Sequence, residues 1–163
     1  FYKKKFDESG KYAKEGMLIK NIYNSYKKNL FFKKKYPKSL DRNYFKRYFD
    51  KLKEYKKNDA IHTASLMTVF SIINSINFHR IKLNEIILTG GGRKNIFILD
   101  KLNEYFKEKN IKVSLIDKYG FNGDLIESQM FAYLAVRSIK KLPISIPSTT
   151  GVNHPISGGI LYK

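Results

Sequence analysis

Cysteine is absent from this 163-residue chain, which excludes disulfides and thiolate metal sites and fits a reducing, cytoplasmic setting. No apolar run approaches the roughly 20 residues needed to cross a bilayer, and no secretory signal is visible. No membrane partner is therefore expected. Acidic residues are scarce: 14 Asp and Glu stand against 32 Lys and Arg, a formal net charge of +18. That balance suggests a polyanion partner, yet arginine, the usual bidentate reader of bases and phosphates, is scarce as well. Arg42, Arg47, Arg80, Arg93 and Arg137 are the whole set. The lysines spread along the first 60 residues and around Lys107, among many Asn, Ile, Tyr and Phe. This is the pattern of solvated faces and of drift in an A+T-rich genome. No specific nucleic-acid partner is expected, and loose, salt-sensitive polyanion binding is only a side effect of such charge. An opening methionine is also missing. Phe1 comes first and the earliest methionine is Met17, so the sequence reads as a piece of a longer protein or as one with a segment removed.

What is present is enough for one domain core: 42% of the residues are hydrophobic, with Phe, Tyr, Ile and Leu throughout. Apolar spacing predicts a helix over Asp7 to Asn29, with Tyr12, Ala13, Met17, Leu18, Ile22 and Tyr26 on its face. Phe31 to Leu40 is an irregular link marked by Pro37. Asp41 has the character of an N-cap for a second helix bearing Tyr44, Phe45, Tyr48, Phe49 and Leu52. Asn58-Asp59 can cap a third, which runs to about Phe78 and is apolar enough to be buried. Beyond it the character changes. Glu85–Thr89 reads as a strand, Lys94–Asn110 as a helix, Ile111–Ile116 as a second strand and Gly123 to about Lys140 as a further helix. The last twenty residues read as ordered loop. Residues 1–80 thus form a helical segment and 81–163 an α/β segment, together one incomplete domain: two parallel strands are too few for a sheet that helices cover on both faces.

The most informative local feature is the strand Glu85–Thr89 running straight into Gly90-Gly91-Gly92 and then a helix. Glycine lacks a Cβ, so backbone can approach a flat or anionic ligand, and the helix that follows directs N–H groups and its positive dipole end into the same space. The pattern suggests a nucleotide, although strand-to-helix turns also use glycine for packing. Asn95 can bond a ligand or cap the helix it begins. Asp124-Leu125-Ile126-Glu127 has the spacing of a capping box, the reading that spacing alone favours; alternatively Glu127 projects into a cleft and accepts hydrogen bonds from sugar hydroxyls. Lys38 and Ser39 with Arg42 can engage an anionic group, or form a loop and a helix cap. Ser148-Thr149-Thr150-Gly151 is a ligand-contacting turn or a plain one. His62, His79 and His154 lie far apart without ligand spacing, so no metal site is expected, and no serine or histidine sits in a nucleophile-like setting.

Taken in order, six segments resemble the anhydro-N-acetylmuramic acid kinase family over nearly the whole chain. They are Phe6-Asp7-Glu8-Ser9-Gly10 continuing to Ala13 and Gly16; Tyr36-Pro37-Lys38-Ser39-Leu40-Asp41-Arg42 with Phe45; Asp59, Thr63, Leu66 and Thr68; Leu88-Thr89-Gly90-Gly91-Gly92-Arg93-Lys94-Asn95; Gly123 to Ala135 around Asp124 and Glu127, with Ser128 where the family has alanine; and Thr149-Thr150-Gly151. The resemblance implies an α/β fold of the actin-like, hexokinase-type (ribonuclease H-like) class, here its C-terminal part with a short parallel sheet flanked by helices. It implies a kinase of peptidoglycan recycling that opens a 1,6-anhydro-amino-sugar with water and moves the γ-phosphate of ATP to O6, with Mg²⁺ assisting. By the same resemblance Gly90, Gly91, Gly92 and Asn95 lie near the nucleotide, Glu127 lies near the sugar, and Lys38, Ser39 and Arg42 are further substrate-side residues. No catalytic or metal-ligating residue is expected in the chain. The phosphate loop and the water-activating aspartate belong to an amino-terminal half outside it, which is an expected partner along with a homodimer. The isolated chain is then expected to be inactive, and the alternative is a non-catalytic remnant or binding module of the same fold.

Overall fold

The structure, a computed structural model, describes residues 6–41 and 43–162. Arg42, one of the anticipated substrate-side residues, lies outside them. The long helix expected over Asp7 to Asn29 is instead two, α1 (Lys11–Glu15) and α2 (Lys20–Lys27). Gly16 is the reason for the break. It packs so tightly on the start of a later helix that an added Cβ would lie 2.1 Å from the Asn58 carbonyl oxygen. The exposed amides of the gap are satisfied by that same helix: Met17 N–H donates to Asp59 (2.8 Å) and Ile19 N–H to the Thr63 hydroxyl (2.9 Å). Asp59 and Thr63 thus act as clamps on the backbone of the gap.

The second helix, α3 (Lys46–Leu52), starts later than expected. Asp41 does not cap it; its carboxylate accepts from Asn43 N–H at 2.8 Å, closing a local turn of the kind short acidic side chains favour. The long helix α4 (Lys57–Phe78) is the spine. One side buries Ala60 and Met67 among Ile19, Ile22, Tyr26, Phe32, Tyr48 and Leu52. Tyr26 is central there, with ring centroids of Phe45, Phe32 and Tyr48 at 4.9, 5.0 and 5.2 Å, edge-on or tilted as aromatic quadrupoles prefer. Val69, further along α4, enters a second cluster with Leu102 and Phe106, flanked by Ile86, Leu88 and Val113.

That second cluster is built by the α/β segment. Strands β1 (Glu85–Leu88) and β2 (Lys112–Leu115) pair in parallel, with Glu85 opposite Lys112 and Leu88 opposite Leu115. Helix α5 (Ile96–Lys107) makes the crossover. Ile86, Leu88 and Val113 face the helices, while Glu85, Ile87, Lys112 and Ser114 take the other side of the sheet. Glu85 there accepts from Ser114 and pairs with Lys112 at 3.0 Å, which holds its carboxyl at about 2. Helix α6 (Ile126–Ile139) and the single turn α7 (Pro147–Thr150) complete the order, and the tail folds back through an antiparallel bridge of Ser145 with Ile156. This is an α/β arrangement with a two-stranded parallel sheet among the described residues.

Candidate functional site

The chain leaves β1 at Leu88 and turns at Gly90, whose φ of 71° and ψ of −179° form a combination essentially confined to glycine. Gly91–Lys94 then make one 3₁₀ turn. Asn95 takes the capping role that its position allowed, its side-chain oxygen accepting from Ile98 N–H at 3.1 Å. The three glycines are not equivalent. Gly90 is required by its own backbone, whereas a Cβ on Gly91 or Gly92 would meet no atom within 4 Å. Nothing inside the described chain calls for glycine at those two positions.

Directly behind the loop sits Arg93, its side chain 5% exposed. It makes a bidentate pair with Asp117 (Nε–Oδ2 2.7 Å, Nη2–Oδ1 3.0 Å) and donates from Nη1 to Asp124 (2.7 Å) and to the Gly90 carbonyl (3.0 Å). Lys94 joins Asp124 from outside. The guanidinium holds both carboxyls at about 2, with Lys94 adding to the effect at Asp124, and the two carboxylates raise the arginine in turn. Backbone completes the joint, since Gly90 N–H donates to the Gly123 carbonyl at 3.2 Å. Gly123 is glycine for a visible reason: a Cβ there would stand 2.3 Å from Arg93 Nε.

This geometry corrects the capping-box reading. Asp124 spends its carboxylate on Arg93 and Lys94, helix α6 begins at Ile126, and its N-cap Leu125 offers no side-chain bond. Glu127 lies exposed in the first turn of α6, three residues from Asp124. One buried arginine therefore ties the glycine loop to the start of the helix that carries Glu127. Arg93 has no assigned role within its sequence motif, and Asp117 lies outside every motif. The available signal was two aspartates seven residues apart in a chain poor in acid, downstream of an arginine that follows three glycines.

A second region gathers the other motifs. Lys38 is half-buried, with Nζ 4.6 Å from the Phe31 ring centroid and 3.4 Å from the Phe31 carbonyl oxygen, and burial pushes its pKa down. It borders a cavity of about 450 Å³ together with Tyr36, Asn74, His79, Ser148 and Thr149. Gly151 closes against this wall, its would-be Cβ 3.0 Å from Pro37 Cγ. The Pro37-Lys38 and Ser148–Gly151 segments, more than a hundred residues apart, thus meet. Ser39 is exposed beside them. Neither the glycine loop nor Glu127 lines this cavity.

Among the described residues no three His, Asp or Glu stand together as a metal site. Asp117 and Asp124, the carboxylates nearest the glycine loop in the hydrogen-bond network, are already paired with Arg93 and Lys94.

Comparison with known proteins adds the wider frame. The sequence model of the family described as anhydro-N-acetylmuramic acid kinase matches residues 1–163. Proteins named anhydro-N-acetylmuramic acid kinase are similar to the chain: that of Zymomonas mobilis subsp. mobilis is 35% identical over 157 residues, covering 96% of this chain and 42% of the relative. That of Brucella canis is 34% identical over 156 residues (96% and 41%), and that of Agrobacterium fabrum 32% over 160 residues (98% and 42%). The chain spans about two-fifths of the length of the curated relatives it matches.

Proposed function

The chain belongs to the anhydro-N-acetylmuramic acid kinase family, and from that premise we propose that it forms the C-terminal, nucleotide-side part of an ATP-dependent kinase of peptidoglycan recycling. The reaction is the opening of the 1,6-anhydro bond of a muramic sugar by water with transfer of the γ-phosphoryl group of ATP to O6, on an actin-like, hexokinase-type fold in the cytoplasm. The observation that carries this reading is a pair of glycines, Gly91 and Gly92, kept open to the outside although nothing in the described chain needs them.

In this reading the loop's backbone approaches the nucleotide, Asn95 holds the loop's exit as the cap of α5, and Glu127 accepts hydrogen bonds from the sugar. Lys38, Ser39 and Arg42 serve an anionic part of the substrate. Phosphoryl transfer is mainly a matter of positioning and charge neutralisation, so one joint that sets nucleotide loop and sugar helix in mutual register is a useful contribution from this part. ATP fits the loop's open backbone. Among the described residues no group of three carboxylate or imidazole ligands stands ready for Mg²⁺. The general base and phosphate loop belong to the part of the family fold that the chain does not span.

Glu127→Gln tests the sugar assignment in a family-length protein carrying this sequence. Turnover is expected to fall about 10²-fold, the scale on which misplaced groups act. The melting temperature should stay within a degree or two of the parent, since Glu127 is exposed and is not the cap. Unchanged turnover would remove Glu127 from the site.

A further inference from the structure

Helix α6 is fourteen residues long and none of them is buried. Leu125, Ala132, Val136 and Ile139, at spacings of seven, four and three, fall on one stripe at the start and along the length of the helix. Val136 and Ile139 are 51% and 63% exposed. Charge is kept off this stripe. Glu127 lies on the opposite side, and Arg137 turns away to the Pro143 carbonyl at 2.6 Å and the Tyr133 hydroxyl at 3.0 Å. The sheet shows a matching gap: Ile87, on the side of β1 away from the second cluster, is 45% exposed, whereas parallel sheets are normally covered on both faces. The two uncovered surfaces are linked through the Gly90–Gly123 backbone bond. A folded chain in water rarely leaves such an apolar face open without a partner.

We infer that this face of α6 is a docking surface, and that its occupant is the amino-terminal part of the family fold, supplied by the same polypeptide or by a separate one. The relatives carry well over half of their length outside the matched region, so the family fold has chain available to cover it. A second copy of this chain is the poorer occupant, because association would bring +18 against +18. The inference rests on family membership and not on the kinase reading.

The test is hydrogen exchange across residues 125–139, measured on the chain alone and after addition of the amino-terminal part of the Zymomonas mobilis relative. That part is first shown to complement its own C-terminal part; if it does not, it is fused to this chain through a flexible linker. Alone, the chain should be monomeric by light scattering, with α6 exchanging fast. The added part should slow α6 exchange by about tenfold or more while leaving α4 unchanged, and Val136→Glu should abolish that protection. A homodimer that protects α6 and is dissolved by Val136→Glu would overturn the inference, as would a competent or fused amino-terminal part that leaves α6 exchange unaltered. Protection without turnover would keep this surface and sink the kinase reading, so the two fail separately.

Discussion

Replacing Gly91 or Gly92 by alanine is expected to make the chain slightly more stable and, on the proposed reading, to weaken nucleotide binding markedly. Neither position has the positive φ that would strain alanine, and the new methyl enters open space. The loss of unfolded-state freedom should then add about 0.4–1 kcal/mol to stability at each site. Should the loop's backbone approach ATP, the same methyl stands where the phosphates or the adenosine must come. A loss of affinity of about tenfold or more, near 1.4 kcal/mol, is expected in a family-length protein by calorimetric titration. The combination is diagnostic, because a glycine kept for folding gives the opposite pattern of lower stability with binding preserved. Gly90→Ala, by contrast, should destabilise at once, since its φ of 71° with ψ of −179° is hostile to any side chain.

The second large effect is expected at the arginine joint. Arg93→Met leaves Asp117, Asp124 and the Gly90 carbonyl without their common donor, and Gly123→Ala reaches the same end by pressing a methyl into the guanidinium. Either change should let the glycine loop drift from the start of α6. In a family-length protein kcat/KM should fall by about 10²-fold, with both nucleotide and sugar KM affected. Because both substitutions break one connection, their effects should be far from additive in a double-mutant cycle. A purely local role would instead give additive losses confined to one substrate.

The same joint has a signature in acid. Asp117 and Asp124 are held at about 2 in the folded chain, against roughly 3.9 for an unfolded aspartate. Their folded pKa is depressed, so they contribute stability above the unfolded value and lose it as pH falls from about 4 toward 2. In Arg93→Met the two carboxyls return toward the ordinary range, and the slope of stability against pH in that window should flatten. Denaturant titrations between pH 4 and 2 measure it. An identical slope in parent and variant would show that the guanidinium is not what holds the two carboxylates.

Much of the fold was legible because its signals are local. The aliphatic run Glu85–Leu88, the amphipathic spacing of α5 and the apolar α4 each specify their element within a window of a few turns. Breaks and caps were less accessible. Gly16 interrupts the first helix through contact with Asn58, forty-two residues away, and nothing near Gly16 announces that neighbour. Asp124 and Glu127 satisfy the capping-box spacing, yet a buried arginine thirty-one residues upstream outcompetes the helix end for the aspartate. The cavity shared by Lys38, Ser148 and Thr149 was illegible for the same reason, as both of its walls were visible as loops but their meeting was not.

The proposal makes this chain one wall of a kinase site: a glycine loop and a sugar-facing helix joined through Arg93, with the catalytic base and phosphate loop elsewhere in the family fold. The most direct test is turnover by the purified 163-residue chain given ATP, Mg²⁺ and 1,6-anhydro-N-acetylmuramic acid, with the 6-phosphorylated product followed by mass spectrometry. No product above the enzyme-free background is expected from the chain alone. Turnover should appear when the amino-terminal part of the family fold is supplied. Sustained phosphorylation by the chain alone, at the rate of a family-length relative run alongside, would contradict the account.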